Sequence, residues 1–222
     1  MNLSVKKYRK NIWLSFLGDI KVFKRYVNQA INELISLHNF PAENILQLLA
    51  YSYNENYPES FDVDSLNAAD HLSVDLVYMY MVNGSVSDRL RRRGGTEPLS
   101  WEQRSNIALG TARGLLHLHS HNIIHGDIKS GNILLDKHFE PKIGDFGLAR
   151  GGPESDSMSY ILASSLQGTM SYLPDDYCRS RQLTEQVDTF CYGMFLFELV
   201  SNVNKEELLC SSHGLSFLKF II

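Results

Sequence analysis

Short apolar runs and polar stretches follow one another over the first part of the chain. The run IKVF at 20–23 predicts a short strand, and apolar residues three and four positions apart in 28–40 predict an amphipathic helix. Residues 43–53, ENILQLLAYSY, predict a turn followed by a buried strand. The β-branched and aromatic run VDLVYMYMV at 74–82 predicts another strand. The polar and acidic residues 54–73 between these two strands predict a loop.

The pattern becomes helical after residue 83. Residues 85–94, SVSDRLRRRG, predict a helix that begins at an N-cap serine and ends at a glycine. Residues 100–122 predict a long amphipathic helix, in which Ser100 and Gln103 form a capping-box pattern. Because strands come first and helices follow, the order predicts an α+β fold with two unlike lobes rather than a repeated βαβ unit.

Composition narrows the class of protein. The 222 residues are 44% hydrophobic and 21% charged, which is ordinary for a globular protein. The net charge of −4 argues against nucleic acid as a partner, and three cysteines without a C-x-x-C pair indicate a reducing compartment. The N-terminal apolar patch is shorter than a signal-peptide core, so we expect no secretion. The run 191–200 is too short to span a bilayer and contains Glu198, so we expect no membrane span.

Two clusters of cationic side chains have an ordinary interpretation. The arginine run at 89–93 is typical of a solvated helix end, and an acidic partner is the alternative. Four histidines lie close together, but no cysteine or acidic cluster completes a zinc site, so we interpret them as structural. They are His117, His119, His121 and His125.

The stretch HGDIKSGNILLDKHFEPKIGDFG at 125–147 carries the candidate chemistry. Phosphoryl transfer from ATP needs an oriented hydroxyl, positioned phosphates and charge neutralisation through Mg²⁺. Asp127 can orient the hydroxyl and accept its proton, and Lys129 can hold the γ-phosphate. Asn132 and Asp145 offer the hard oxygen ligands that suit Mg²⁺. The residues between them predict a hairpin, which would return Asp145 close to Asn132.

This joint pattern resembles the catalytic and metal-binding loops of a eukaryotic protein kinase, over residues 20 to 201. The resemblance implies a two-lobed kinase fold with ATP and Mg²⁺ as cofactors. It assigns Asp127 as the catalytic base, Lys129 as the phosphate-contacting lysine, and Asn132 and Asp145 as the two metal ligands. Lysine two positions after the first Asp is similar to serine/threonine kinases rather than tyrosine kinases.

The segment LVYMYMVNGSVSDRL resembles the hinge of the Pelle and interleukin-1-receptor-associated kinases. The resemblance makes Tyr78 the gatekeeper and places Met79, Tyr80 and Met81 in the hinge, whose backbone pairs with adenine. It places Asp88 near the ribose. The segments HGDIKSGNILLD and GTMSYLPDDY are also similar to that group. Plant receptor-like kinases share much of the pattern and are the alternative family.

The small lobe departs from the family pattern. No G-x-G-x-x-G loop precedes residue 20, so the first strands look missing or replaced. The ATP lysine is assigned to Lys21, because DIKVF resembles VAIKV, with Lys24 as the second candidate and Glu33 as the partner. Gly126 stands where most kinases carry an arginine that pairs with a phosphate on the activation loop. We expect this chain not to depend on that pairing.

Four segments follow from the resemblance. They are a non-matching start (1–19), a partial small lobe and hinge (20–82), a partial large lobe (83–201) and a non-matching tail (202–222). The expected function is a cytoplasmic serine/threonine kinase of Toll or interleukin-1-receptor signalling, with recruitment to the plasma membrane, protein substrates and receptor-complex adaptors as partners. The alternative is a non-catalytic, pseudokinase-like binding module or an inactive truncated fragment.

Overall fold

The fold comes from a computed structural model of the chain. The predicted strand at 20–23, most of the predicted loop at 54–73 and the tail at 203–222 lie outside the residues that it describes. Five ranges and two shorter pieces are described: 3–9, 29, 32–33, 35–37, 39–53, 73–153 and 159–202.

The N-terminal part contains a three-stranded antiparallel sheet. Its strands are β1 (Leu3–Arg9), β2 (Leu48–Tyr53) and β3 (Ser73–Met79), with β3 in the centre. The strand predicted at 74–82 is confirmed, although it ends at Met79. β1 was not predicted, because residues 1–19 were interpreted as a non-matching segment. Its pairing with β3 over seven residues, from Leu3 opposite Met79 to Arg9 opposite Ser73, makes it part of this sheet.

The prediction of a buried strand at 43–53 is wrong in one respect. The buried residues of this stretch are Asn44, Ile45 and Leu46, which precede β2. Within β2 the residues from Ala50 to Ser52 are exposed. The physical reason is that β2 lies beside β3 on one side only among the described strands. The helix predicted at 28–40 is confirmed at each of its described residues up to Asn39.

Among the described residues of the C-terminal part there are four α-helices: α1 (Val86–Leu90), α2 (Trp101–Ser120), α3 (Asp175–Ser180) and α4 (Glu185–Ser201). α1 begins with a capping box in which the Ser85 side chain accepts from the Asp88 N–H, at 3.1 Å. α2 begins with the predicted capping box of Ser100 and Gln103. α1 is shorter than predicted, because the chain leaves the helix at Arg91 and passes through a short 3₁₀ turn at Arg93–Gly95.

Where the chain between these helices is described, it contains three pairs of short strands. β4 (Ile123–Ile124) pairs with β7 (Arg150–Gly151), β5 (Ile133–Leu135) pairs with β6 (Pro141–Ile143), and β8 (Ile161–Leu162) pairs with β9 (Gln182–Leu183). The β5–β6 pair confirms the hairpin predicted between Asn132 and Asp145. Helices and small sheets together confirm the α+β class.

The core of the C-terminal part lies between α2, α4 and the β5–β6 hairpin. Its fully buried side chains include Ile107, Leu118, Ile133, Ile143 and Phe195. α4 has apolar residues on most of its faces, as expected for a helix at the centre of a domain. Among the described residues no helix has both the length and the apolar character needed to cross a bilayer.

Asn44 joins the sheet to the helical part. Its carbonyl accepts from the Ile143 N–H at 2.8 Å, and its side-chain amide donates to the Pro141 carbonyl at 3.0 Å. This junction lies directly on α2, where two glycines allow the approach. A Cβ at Gly110 would lie 2.5 Å from Pro141 Cγ, and one at Gly114 would lie 2.9 Å from the Asn44 carbonyl oxygen. Both distances are too short for any residue with a side chain.

We predict that Gly114→Ala destabilises the protein, because its Cβ would push the Asn44 carbonyl away from β6. Overpacking of this kind typically costs about 1–3 kcal/mol. The matched control is Gly193→Ala on α4, where no described atom outside the helix's own backbone lies within 4 Å of the added Cβ. The control should gain up to about 1 kcal/mol of helix propensity. Urea unfolding of both variants measures the difference, and equal stabilisation of both would contradict the close packing.

Candidate active site

A buried carboxylate fixes the backbone that precedes the predicted base. Asp188 on α4 is fully buried. Its Oδ2 accepts from the His125 N–H at 2.7 Å, and its Oδ1 accepts from the Gly126 N–H at 2.8 Å. His119 Nε2 lies 3.2 Å from the same carboxylate. Two N–H donors from successive residues therefore hold in one position the segment 125–132, which we call the catalytic loop.

Gly126 has a conformational reason to be glycine. Its φ of +78° lies in the left-handed region, which costs a residue with a side chain roughly 1–2 kcal/mol. A Cβ at this position would also lie 3.2 Å from the Leu148 carbonyl oxygen. The glycine therefore relieves strain in the loop, in addition to removing the arginine that the family usually carries there.

The predicted base, Asp127, lies at the centre of a hydrogen-bond network. Its Oδ1 accepts from Thr169 Oγ1 at 2.7 Å, and its Oδ2 accepts from Lys129 Nζ at 2.7 Å. Asn132 Nδ2 donates to the same Oδ2 at 3.0 Å. The structure thus brings three of the predicted catalytic residues together. The carboxylate is held at a fixed orientation while 8% of the residue's surface remains accessible.

Thr169 completes this network and was missed as a site residue. In the structure its Oγ1 also accepts from Lys129 Nζ, at 2.8 Å. The preceding Gly168 has φ +102°, and a Cβ there would lie 2.8 Å from the Gly126 carbonyl oxygen. The adjacent glycine in GT is therefore the sequence signal for this close approach of the two loops.

The two predicted metal ligands lie on adjacent segments of backbone. The Gly144 N–H donates to the Asn132 carbonyl at 2.9 Å, so the β5–β6 hairpin returns Asp145 beside Asn132. Asn132 Nδ2 also donates to the Asp127 carbonyl at 2.8 Å, which turns the amide oxygen of Asn132 away from Asp127. Phe146 is fully buried against the His125 ring, at 4.8 Å between centroids, while Asp145 is exposed.

This donor set fits Mg²⁺. One amide oxygen and one carboxylate are the hard oxygen ligands that Mg²⁺ takes when phosphates and water complete its shell. The part of the chain that the structure describes contains no cluster of three or more His, Cys, Asp or Glu side chains suited to a metal held by protein alone. Asn132 and Asp145 are the residues that would hold the ion.

Glu33 is buried and oriented by the predicted gatekeeper. It has no exposed surface, and Tyr78 donates its hydroxyl to Glu33 Oε1 at 2.5 Å. The predicted ATP lysine Lys21, and Lys24, lie outside the described residues. In β1, however, Ser4 pairs directly opposite Tyr78 and Lys6 pairs opposite Leu76. Since paired residues share a face of an antiparallel sheet, Lys6 lies at a register position on the face of Tyr78.

The predicted hinge leads from β3 into α1. Met79 and Tyr80 are partly exposed, at 38% and 48%, whereas Met81 is buried. The Met81 carbonyl accepts from the Gly84 N–H at 3.0 Å. A cavity of about 430 Å³ touches this segment, and its lining contains none of the catalytic-loop residues. That lining includes Leu37, Ile45, Met79, Met81, Asp136 and Lys142.

Asp88, predicted near the ribose, already has protein partners. Its carboxylate accepts from Ser85 and forms an ion pair with Arg93 at 2.8 Å. Partial burial acts to raise the pKa of Asp88, but the Ser85 hydrogen bonds and the Arg93 charge outweigh it, so the pKa lies below its usual value. The ribose contact stays a prediction.

The kinase resemblance makes residues 148–173 the activation loop, and Tyr172 ties this loop to α4. Its hydroxyl donates to the buried Glu198 and lies 3.2 Å from Ser130 Oγ in the catalytic loop. Burial, together with the Glu198 carboxylate, raises the pKa of Tyr172 above its ordinary range. Tyr172 therefore remains a neutral donor that joins the loop, the helix and the catalytic segment.

Comparison with known families agrees with this geometry. The model of the protein kinase domain matches residues 17–213. A Pelle-like serine/threonine-protein kinase of Caenorhabditis elegans is 43% identical over a region that covers 79% of this chain and 34% of the relative. The serine/threonine-protein kinase pelle of Drosophila melanogaster is 40% identical over 78% of this chain and 32% of the relative.

Interleukin-1 receptor-associated kinase 1 of Mus musculus is 44% identical over 57% of this chain and 19% of the relative. The chain thus spans about a third of the length of the first two relatives. The match of one family model to most of the chain, on the residues that build the site, decides the family. The chain belongs to the protein kinase family, and its predicted resemblance to the Pelle and interleukin-1-receptor-associated serine/threonine kinases is confirmed.

Proposed function

We propose that this chain transfers the γ-phosphoryl group of Mg·ATP to serine and threonine hydroxyls of proteins. The observation that carries the proposal is the Asp127 carboxylate, held by Lys129, Asn132 and Thr169 beside Asp145. A non-catalytic module has no need to fix a partly accessible carboxylate beside a lysine and two oxygen ligands.

Each residue of the network has a task in this reaction. Asp127 orients the acceptor hydroxyl and takes its proton as the oxygen attacks the γ-phosphorus, while the bond from the γ-phosphorus to the bridging oxygen breaks and ADP leaves. Lys129, 2.7 Å from Asp127, places a positive charge where the transferred phosphoryl group must pass. Asn132 and Asp145 would hold Mg²⁺, which when bound neutralises phosphate charge. Thr169 holds the activation loop against Asp127. A substrate peptide that lies on this loop would therefore present its hydroxyl at a fixed distance from the Asp127 carboxylate.

We further propose that Lys6, rather than Lys21, is the lysine that contacts the ATP phosphates. The supporting observation is the register of β1, which places Lys6 on the face of β3 that carries Tyr78, the partner of Glu33. The next residue, Lys7, pairs opposite Asp75 and falls on the other face. An assignment to Lys21 depends on local resemblance alone.

Replacing each lysine with methionine separates the two assignments. Lys6→Met should raise the Kd for Mg·ATP or lower kcat by at least about tenfold, because a charge-assisted contact to phosphate is worth about 1.5–3 kcal/mol. Lys21→Met is the matched control and should change either constant less than about twofold. Calorimetric ATP titration and single-turnover phosphoryl transfer measure both. The opposite ranking of the two variants would restore Lys21.

The role of Asp127 is tested with Asp127→Asn. The amide retains a hydrogen-bonding side chain of the same size but cannot accept the hydroxyl proton. We expect kcat for transfer to a protein substrate to fall by about 10²–10⁴-fold, with the melting temperature nearly unchanged. Thr169→Val removes one hydrogen-bond partner of Asp127 and leaves the carboxylate intact. It therefore separates the effect of losing this hydrogen bond from the effect of losing the base. Full activity of the Asn variant would exclude Asp127 as the base.

A thermal melt with and without Mg·ATP distinguishes an enzyme site from the alternative of a binding module that takes no nucleotide. Ligand at about 100 times its Kd stabilises the folded state by about 2.7 kcal/mol. We expect an upward shift that requires Mg²⁺ and that is lost in Asp145→Asn. A cooperative melt that does not respond to nucleotide would favour the binding module. Absence of a cooperative melt would support the inactive-fragment alternative.

The names of the relatives support a cellular setting. Pelle-like and interleukin-1 receptor-associated kinases are the similar proteins, so we propose a place in Toll or interleukin-1-receptor signalling, with receptor-complex adaptors as partners. The corresponding location is the cytoplasm, with recruitment to the plasma membrane. Imaging of the tagged full-length protein before and after receptor stimulation tests both statements, and a location that stimulation leaves unchanged would contradict recruitment.

A further inference from the structure

A cluster of arginines stands at the end of α1, the helix whose first turn contacts the catalytic loop, and has no task in the reaction described above. Residues 88–97, DRLRRRGGTE, contain four arginines and two carboxylates, in a chain whose net charge is −4. Three of the four arginines are exposed at the end of α1: Arg91, Arg92 and Arg93.

α1 is fastened to the catalytic loop. The Ser87 N–H donates to the Ser130 carbonyl at 3.1 Å, and Ser130 is three residues after Asp127. Arg91 follows Ser87 by four residues, and the Arg91 N–H donates to the Ser87 carbonyl at 3.1 Å. A helix rises about 1.5 Å per residue, so Arg91 lies only about 6 Å along α1 from the residue that contacts the catalytic loop.

The arginines divide into engaged and available side chains. Arg89 lies over the Phe139 ring at 5.0 Å and donates to the Glu97 carbonyl, and Arg93 is paired with Asp88. Arg91 and Arg92 form no side-chain hydrogen bond or ion pair with any residue that the structure describes. We call Arg91 and Arg92 the arginine edge.

Arg92 has a backbone conformation that favours glycine, which suggests that its charge has a function of its own. Its φ of +49° is left-handed, a conformation that glycine adopts at lower cost. The nearby Gly94 and Gly95 also have positive φ, and there the chain uses the residue that adopts this conformation without strain. Glycine at position 92 would adopt this backbone conformation at lower cost, but it would not place a positive charge there. Helix-end stabilisation by the macrodipole accounts for Arg91 but not for Arg92, which lies beyond the helix.

We propose that the arginine edge is a substrate-selecting surface that binds aspartate or glutamate side chains of protein substrates, next to the acceptor hydroxyl. A peptide whose hydroxyl reaches Asp127 must lie along the catalytic loop, and α1 borders that loop through Ser87 and Ser130. Acidic residues on one side of the acceptor serine or threonine would then contact Arg91 and Arg92, whose side chains have no partner among the described residues. This inference rests on the proposed function, since it names the substrate class of that site.

Binding of alanine-acceptor peptides tests the inference without depending on catalysis. Three fluorescent peptides of equal length carry glutamates before the alanine, glutamates after it, or glutamines on both sides. Anisotropy with Mg²⁺ and a non-hydrolysable ATP analogue gives each Kd. We expect one acidic peptide to bind about three- to tenfold more tightly than the glutamine peptide, since exposed ion pairs are individually weak. The preference should decline as ionic strength rises.

Three variants assign the preference to the arginine edge. Arg91→Glu with Arg92→Glu should abolish or reverse it, whereas Arg91→Lys with Arg92→Lys should retain it, because charge and not shape is required. Arg113→Glu, an exposed position on α2, is the matched charge-reversal control and should leave the preference unchanged. Thermal melts of all variants should agree within about 2 °C, because the substituted side chains are exposed.

Equal Kd values for the acidic and glutamine peptides would overturn the inference, as would a preference that survives in the double Glu variant or a failure of all peptides to bind. Phosphate transfer to serine versions of the same peptides is measured separately. Absence of transfer to every peptide contradicts the proposed function, while the binding preference still decides whether the arginine edge selects anionic peptides.

Discussion

The buried carboxylate of Asp188 is the contact on which the site depends. It accepts hydrogen bonds from two successive backbone N–H groups, and hydrogen bonds to an ionised acceptor are about twice as strong as neutral ones. An anion without exposed surface is tolerable because donors satisfy it on both oxygens. These two bonds fix the backbone directly before Asp127 and thereby the direction of its side chain. The network of Lys129, Asn132 and Thr169 then adds orientation to a carboxylate whose backbone is already fixed.

Local sequence signals predicted the parts of the fold that local physics determines. Ser85 and Ser100 each precede a residue that can complete a capping box, and both helices begin there. The hairpin that brings Asp145 beside Asn132 needs pairing between residues only a few positions apart, so its pattern is visible in one short stretch. The predicted catalytic residues of the large lobe therefore lie together in the structure, although their chemical roles stay proposals.

Long-range pairing explains what the sequence did not reveal. β1 pairs with residues about seventy positions further along the chain, and its two lysines obscure the apolar alternation that would mark a strand. Lys21 was assigned as the ATP lysine by its resemblance to a known segment, with Lys24 as the second candidate. Lys6 was not considered, because its position depends on the register of β1. Thr169 was missed for a similar reason, because its contact with Asp127 joins residues 42 positions apart. The exposure of β2 depends on which strands lie beside it, which no window of sequence contains.

Asn44 lies where the sheet could pivot on the helical part of the molecule. One continuous ladder of hydrogen bonds runs from Asn44 and Leu46 into β6, and from Gly144 to Asn132, so the sheet and the metal-ligand segment share a fixed point. A rotation of the sheet over the helices that keeps these hydrogen bonds must have its axis near this point, since the glycines of α2 leave no free space there. Displacement grows with distance from an axis. Small angular changes would therefore leave Asn132 almost still while they carry the far strand β1, with its lysines, through the longest arc.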